Sequence, residues 1–297
     1  GHPPVHRHRG ASLLADTLFQ GSQHLGDRGA VVAVPVEDLV CFGEAVTGKG
    51  GDVVRIVEHK DATASERNIR EVNTGIMAIP SPRLQNWLSR LGNKNTQKEY
   101  YLTDIVALAI KDGAKVSSIQ PKHVWETLGV NSKAQLAQVE RLYQRERANQ
   151  LLEQGVTLAD PSRIDVRGEL TCGRDVEIDI GCVFEGKVTL GNRVSVGANC
   201  VLKNVKIAAD TELLPYCVID GAEIGRDCRI GPYSRIRPGT VLENEAHIGN
   251  FVEVKNSRIG KDSKANHLSY VGDTTVGKNV NIGAGTIVCN YDGANKH

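Results

Sequence analysis

The chain has 297 residues, with 36 Lys plus Arg against 35 Asp plus Glu and a net charge of +1. That balance excludes coating a polyanion as its main activity, because affinity for a phosphate backbone needs clustered cations, so no nucleic-acid partner is expected. No apolar run approaches the roughly 20 residues that span a bilayer, and no secretory leader is visible, so no membrane insertion is expected. Seven scattered cysteines without a CxxC pair argue against a disulfide framework or a zinc site and fit reduced thiols in the cytoplasm.

Residues 1 to about 30 carry His2, His6 and His8 among prolines and arginines, and read as an exposed terminus with a histidine metal site as the lesser alternative. From 31 to about 133 the pattern is α/β. Val31–Val34, Val53–Val57 and Thr74–Ile79 are strand-like apolar runs, the last ended by Pro80 and Pro82. Leu84, Trp87, Leu88 and Leu91 have helical spacing, as do Ile105, Val106, Leu108, Ala109 and Ile110. Such alternation predicts a sheet covered by helices. Residues 132–154 predict one long connecting helix with a narrow stripe of Leu136, Val139, Leu142 and Tyr143, stopped by Gly155.

Beyond about residue 160 the pattern changes. Aliphatic–small pairs recur at Leu190-Gly191, Val196-Gly197, Ile224-Gly225, Ile230-Gly231, Ile248-Gly249, Ile259-Gly260, Val276-Gly277 and Ile282-Gly283. Most intervals are multiples of six, with slips of one residue. A hexapeptide period predicts a parallel β-helix in which three hexads make one triangular coil and each aliphatic stacks on its equivalent one coil away. About seven coils are expected, and Ala265–Tyr270, off register, is expected to leave the prism as a loop.

Particular segments go further. They are Val57-Glu58-His59-Lys60-Asp61-Ala62, Glu71-Val72-Asn73-Thr74-Gly75-Ile76, Glu99-Tyr100-Tyr101-Leu102-Thr103-Asp104, Gly129-Val130-Asn131, Arg235-Ile236-Arg237-Pro238-Gly239, His247-Ile248-Gly249-Asn250-Phe251-Val252-Glu253-Val254-Lys255, His267-Leu268-Ser269-Tyr270, Asn281-Ile282-Gly283-Ala284-Gly285-Thr286 and Cys289-Asn290-Tyr291-Asp292-Gly293. From about residue 50 onward the sequence resembles the bacterial bifunctional N-acetylglucosamine-1-phosphate uridylyltransferase / glucosamine-1-phosphate N-acetyltransferase family. The resemblance implies a partial Rossmann-like nucleotidyltransferase domain over 1–131, a helical linker over 132–154 and a left-handed hexapeptide β-helix acetyltransferase domain over 155–297. It implies two steps toward UDP-N-acetylglucosamine, a precursor of peptidoglycan and lipopolysaccharide. Glucosamine-1-phosphate is acetylated from acetyl-CoA, and the product is then joined to UMP from UTP with Mg2+ and release of diphosphate. It also implies a cytoplasmic homotrimer.

Residue by residue, the resemblance makes His267 the general base of acetyl transfer, a task that suits a group titrating near neutral pH. Arg237, Lys255, Tyr270 and Asn281 match positions that hold the sugar phosphate, and Ala284, Asn290 and Tyr291 match positions that touch acetyl-CoA. Gly43, Glu58, Asn73 and Asn131 match UDP-sugar contacts, Asn131 also as a magnesium ligand. Each has a bland alternative: a solvated β-helix face, core packing, or a turn residue. The family's opening phosphate loop and its metal-binding Asp have no counterpart, His2 standing about where the Asp belongs, and its last coils are also missing. The chain is therefore expected to be the middle of a longer enzyme, incomplete for both reactions. A monofunctional hexapeptide acyltransferase and an inactive trimeric fragment are the competing expectations.

Overall fold

The computed structural model describes residues 29–35, 44–47, 53–121, 123–290 and 294. The chain divides into two compact units, Gly1–Gln135 and Leu136–His297.

In the first unit, β1 (Gly29–Pro35), β2 (Glu44–Thr47), β3 (Val53–Val57), β4 (Glu71–Ala78) and β5 (Val116–Ile119) make a five-stranded sheet in the order β3-β2-β4-β1-β5. Only β1 and β5 pair in parallel; the other pairs are antiparallel. Helix α1 (Ser81–Ser89) begins directly after Pro80, where a missing N–H costs nothing. Helix α2 spans Asp104–Lys111. Val53, Ile56, Trp87, Ile105, Val106, Ala109 and Val116 form the core between sheet and helices. The buried Trp87 keeps its polar handle satisfied, with Nε1 donating to Asp112 Oδ2 at 2.9 Å. The expected apolar runs became β1, β3 and β4. The short strands β2 and β5 carry too few apolar residues to stand out; β5 reads Val-Ser-Ser-Ile.

The second unit is a left-handed parallel β-helix preceded by helix α3 (Lys133–Glu153). One face is an eight-stranded sheet, and a twelve-stranded sheet wraps the other two. The wrap exists because the strands Ile164–Cys172 and Cys182–Leu190 each turn a corner without breaking. Inward side chains stack coil on coil: Leu158, Ile178, Val196, Leu213, Ile230, Ile248, Ala265 and Ile282 form one column. Most of the prism lining is fully buried, with Leu202, Ile219, Ile230, Ile236 and Ile248 all at 0 % exposure.

Register explains the slips in the hexapeptide period. Phe184 stacks on Leu202, eighteen residues on, but Leu190 stacks on Ile207, seventeen on. One side of the triangle is shortened in some coils. The corner beside it takes a left-handed backbone at Gly186, Asn204, Gly221, Gly239, Asn256 and Asp273, residue types that tolerate that conformation. At Gly186 space also matters, since a Cβ there would lie 2.1 Å from Asn204 Oδ1.

Small polar side chains point inward just after corners. Thr211 Oγ1 donates to Gly225 O at 2.8 Å, Ser234 Oγ to Gly249 O at 2.6 Å and Ser263 Oγ to Gly277 O at 2.6 Å. Cys182 and Cys200 do the same with their thiols, each 3.3 Å from a carbonyl of the next coil. A buried carbonyl left unpaired by a corner is thereby satisfied.

Two expectations are corrected. Ala265–Tyr270 does not leave the prism. Lys264–His267 and Tyr270–Gly272 are strands in register, and Ala265 sits inward at 0 % exposure. Alanine at an inward position hides the aliphatic signal, and the seventeen-residue coil shifts it. The stripe of Leu136, Val139, Leu142 and Tyr143 is not what α3 buries, and Leu136 and Leu142 are exposed. The buried face is Gln144, Ala148 and Leu151. Gln144 Oε1 accepts from Val166 N at 2.8 Å, and its Nε2 donates to Val166 O at 3.2 Å. Val166 lies on the outer edge of the first long strand, so the side-chain amide replaces a missing strand partner.

Candidate functional site

The β-helix brings several of the predicted residues onto adjacent coils. Strands Arg235–Ile236, Glu253–Lys255 and Tyr270–Gly272 lie in parallel register, pairing Arg235 with Glu253, Glu253 with Tyr270, and Lys255 with Gly272. Arg237 follows its strand directly, its N–H bonded to Val254 O at 2.8 Å. Arg237, Lys255 and Gly272 therefore form one outward column at the roughly 4.8 Å rise of a coil. The Tyr270 ring lies over Gly272, because a Cβ on that glycine would sit 2.4 Å from the phenol oxygen. Asn290 is drawn to the same place, its Nδ2 donating to Gly272 O.

Both cations have carboxylate partners. Arg237 Nη1 donates to Glu253 Oε1 at 2.9 Å, and Lys255 Nζ to Asp273 Oδ2 at 3.1 Å. Asp273 Oδ1 also accepts from Asn256 Nδ2 at 2.7 Å. The Arg237–Glu253 pair is half-exposed and holds its cation loosely, whereas Asp273 is largely buried against Lys255. A dianionic phosphate entering between Arg237 and Lys255 can compete for both with charge-assisted bonds. Glu253 was not singled out from the sequence although it lies within a quoted motif; only the fold sets it between Arg237 and Tyr270.

His267 ends the strand Lys264–His267, exposed, at the corner formed by Leu268. Its Nδ1 lies 2.9 Å from Asn250 Oδ1, and the two residues are register partners. Ser269 Oγ donates to His267 O at 2.8 Å, tying the corner on the side that leads to Tyr270. On the same face, burial holds the His247 imidazole below its usual pKa, and the positive Arg229 and Lys264 push it the same way. Gly285 N donates to Leu268 O at 3.1 Å, which sets the exposed Ala284 beside the same corner. Asn281 pairs with Lys264, three residues from His267 along the strand. Tyr291 lies outside the described residues.

In the first unit, Glu44 in β2 faces Val57 on one side and Val72 on the other. Glu58 and Asn73, each the next residue, are thus level with one another two strands apart, about 10 Å. Glu58 Oε1 accepts from Thr103 Oγ1 at 3.2 Å. Asn73 is 3 % exposed, and its Oδ1 accepts from Gly75 N at 3.1 Å, a local turn bond. Burial, then the neighbouring Asp61, holds the Asp104 carboxyl above its usual range. Asn131 is exposed, its backbone N–H donating to Gln135 Oε1 at 2.7 Å. Among the described residues no group of three or more His, Cys, Asp or Glu could hold a metal ion. Mg2+ is usually held by a carboxylate or two besides phosphates. A lone amide oxygen on Asn131 does not fit that need, so no step is drawn through the ion. Gly43, like His2, His6 and His8, lies outside the described residues.

Comparison with known proteins bears on both units. The model of the GMPPB C-terminal domain matches residues 166–259, within the β-helix. The bifunctional protein GlmU of Aromatoleum aromaticum is 60% identical over 272 residues, 92% of this chain and 60% of that protein. The GlmU of Nitrosospira multiformis is 61% identical over 278 residues, 93% of this chain and 60% of its own. Over more than nine-tenths of its length this chain is similar to these GlmU proteins. The Burkholderia multivorans GlmU, 54% identical, aligns with 100% of the chain and 64% of its own length. The chain thus spans about 60% of the length of the GlmU relatives it matches.

Proposed function

We propose that the protein to which this sequence belongs is a bifunctional transferase making UDP-N-acetylglucosamine. It acetylates glucosamine-1-phosphate from acetyl-CoA, then transfers uridylyl from UTP and releases diphosphate. The observation that carries the acetyl-transfer half is the convergence on neighbouring coils of Arg237, Lys255 and Tyr270 with the corner bearing His267. The cations and the phenol hold the sugar phosphate. The sugar ammonium first loses one proton to solvent, and His267 takes a second from the nitrogen as it attacks the thioester carbonyl. A C–N bond forms, the C–S bond breaks, and the proton goes on to the leaving thiolate. Asn281, Ala284, Asn290 and Tyr291 complete the sugar and acetyl-CoA contacts.

Uridylyl transfer is assigned to the first unit, with Gly43, Glu58, Asn73 and Asn131 on the nucleotide sugar and Mg2+ as the metal. The domains are proposed as 1–131, the helix 132–154, and 155–297. We also propose a cytoplasmic homotrimer serving cell-wall and lipopolysaccharide synthesis. Support for self-association is the exposed ladder of Tyr216, Tyr233 and Phe251 along one corner, with ring centroids 4.9 and 5.4 Å apart. Among the described residues no helix is long and apolar enough to cross a membrane.

Acetyl-CoA-dependent acetylation of glucosamine-1-phosphate, followed as free thiol, tests the chemistry. His267→Ala should lower kcat by about 100-fold or more. Arg237→Ala and Lys255→Ala should mainly raise KM for the sugar phosphate. Undiminished turnover by His267→Ala would overturn the assignment of the base.

A further inference from the structure

We propose that Asn250 is a positioning residue that fixes the tautomer of His267. Its consequence for catalysis rests on the acetyl-transfer proposal above; its test does not. Asn250 Oδ1 lies 2.9 Å from His267 Nδ1. An amide oxygen has lone pairs and no proton, so the ring must bring the hydrogen on Nδ1. A neutral imidazole carries one N–H, so Nε2 is left bare. A bare Nε2 is what a general base at the exposed end of the ring requires. The opposite tautomer, which a free histidine side chain favours in water, would present an N–H to the sugar nitrogen and could not accept its proton.

The fold holds both partners. Asn250 and His267 are register partners in parallel strands, and Leu268 N donates to Asn250 O at 3.2 Å. Each residue precedes a corner whose bulky residue is held in the left-handed region, Phe251 at φ 56° and Leu268 at φ 44°. Such strain persists only where the surroundings enforce it. Here the Phe251 ring stacks on Tyr233 with an interplanar angle of 14°, bracing the corner that carries Asn250. A neutral amide orients the ring without adding charge. The titratable groups near His267 on this face are Lys264 on its own strand and His247 one coil away, with Arg229 a further coil on and Tyr270 beyond the corner.

Long-range proton–nitrogen NMR of the histidine rings, on the chain with 15N-labelled histidine, tests this. His267→Gln assigns the His267 signal by its loss. The Nδ1–H form is expected in the wild type. Asn250→Ala should move the ring toward the Nε2–H form. Asn250→Asp, which keeps an acceptor oxygen, should retain Nδ1–H and raise the His267 pKa by about one unit, since an opposite charge favours the imidazolium. A wild-type ring in the Nε2–H form, with the Asn250 amide turned to donate, overturns the proposal. So does an unchanged tautomer in Asn250→Ala when the other histidine signals show an intact fold.

Kinetics then read the consequence. Asn250→Ala should lower kcat by about tenfold or more with KM little changed, and Asn250→Asp should recover part of the rate with its acid limb moved to higher pH. If the tautomer shifts as expected while His267→Ala acetylates normally, the positioning stands and the acetyl-transfer assignment fails.

Discussion

Replacing Gln144 with Leu isolates what one side chain does for the open edge of the β-helix. The substitution keeps the volume of a side chain that is 3 % exposed and removes its amide. Val166, itself 2 % exposed, then loses the partners of both its N–H and its C=O. A buried polar group left unpaired costs about 1–3 kcal/mol, so the two together should cost about 2–6 kcal/mol. Leu leaves no polar seat where water could substitute. At about 1.4 kcal/mol per tenfold, the Val166 amide should exchange with solvent at least about 30-fold faster and at most about 20,000-fold faster.

Hydrogen exchange resolved at Val166 is the direct assay, with urea unfolding followed by circular dichroism beside it. An internal control comes with the chain: both tryptophans, Trp87 and Trp125, belong to the first unit. Their fluorescence transition should not move. Unchanged exchange at Val166, or a loss confined to the tryptophan transition, would refute edge-capping by Gln144.

Gly249→Ala would set a Cβ 2.0 Å from Asn266 O, a backbone atom of the next coil, and should cost about 3 kcal/mol or more. Gly283→Ala meets nothing within 4 Å and should change a thermal melt by no more than about 0.5 kcal/mol; equal effects of the two would contradict the packing. Burial pushes the Cys182 and Cys228 thiols up to about 11, above the roughly 8.5 of an unfolded cysteine. The folded state holds these protons more tightly, so this contribution is complete below about pH 8.5 and is lost as pH rises through about 11. Iodoacetamide should label the exposed Cys289 at once and Cys182 only at the rate of unfolding; prompt labelling of Cys182 in the native protein would contradict its burial.

The prism was legible because its physics is one-dimensional. An inward aliphatic every coil leaves a period that needs no partner to be seen, and Ile224, Ile230, Ile248 and Ile259 all fall inward as that period requires. The residues of the candidate site were legible only as pieces of family motifs. Nothing in the spacing of Arg237 and Lys255 says that one outward column joins them to Gly272, over which the Tyr270 ring lies, since that depends on coils of seventeen or eighteen residues. Ala265 shows the limit from the other side: its inward position is set by its neighbours above and below, not by its own hydrophobicity.

The sequence by itself determined the β-helix, its approximate extent and the long helix before it, because local period and local propensity suffice for these. Tertiary structure alone decided which face of that helix is buried. The leucine stripe looked apolar enough, yet the edge of the first long strand offers an unpaired N–H and C=O, and only the amide of Gln144 could satisfy both. It likewise decided that His267 meets Asn250, seventeen residues and one coil away, a contact made by the closure of the coil and invisible to any local pattern.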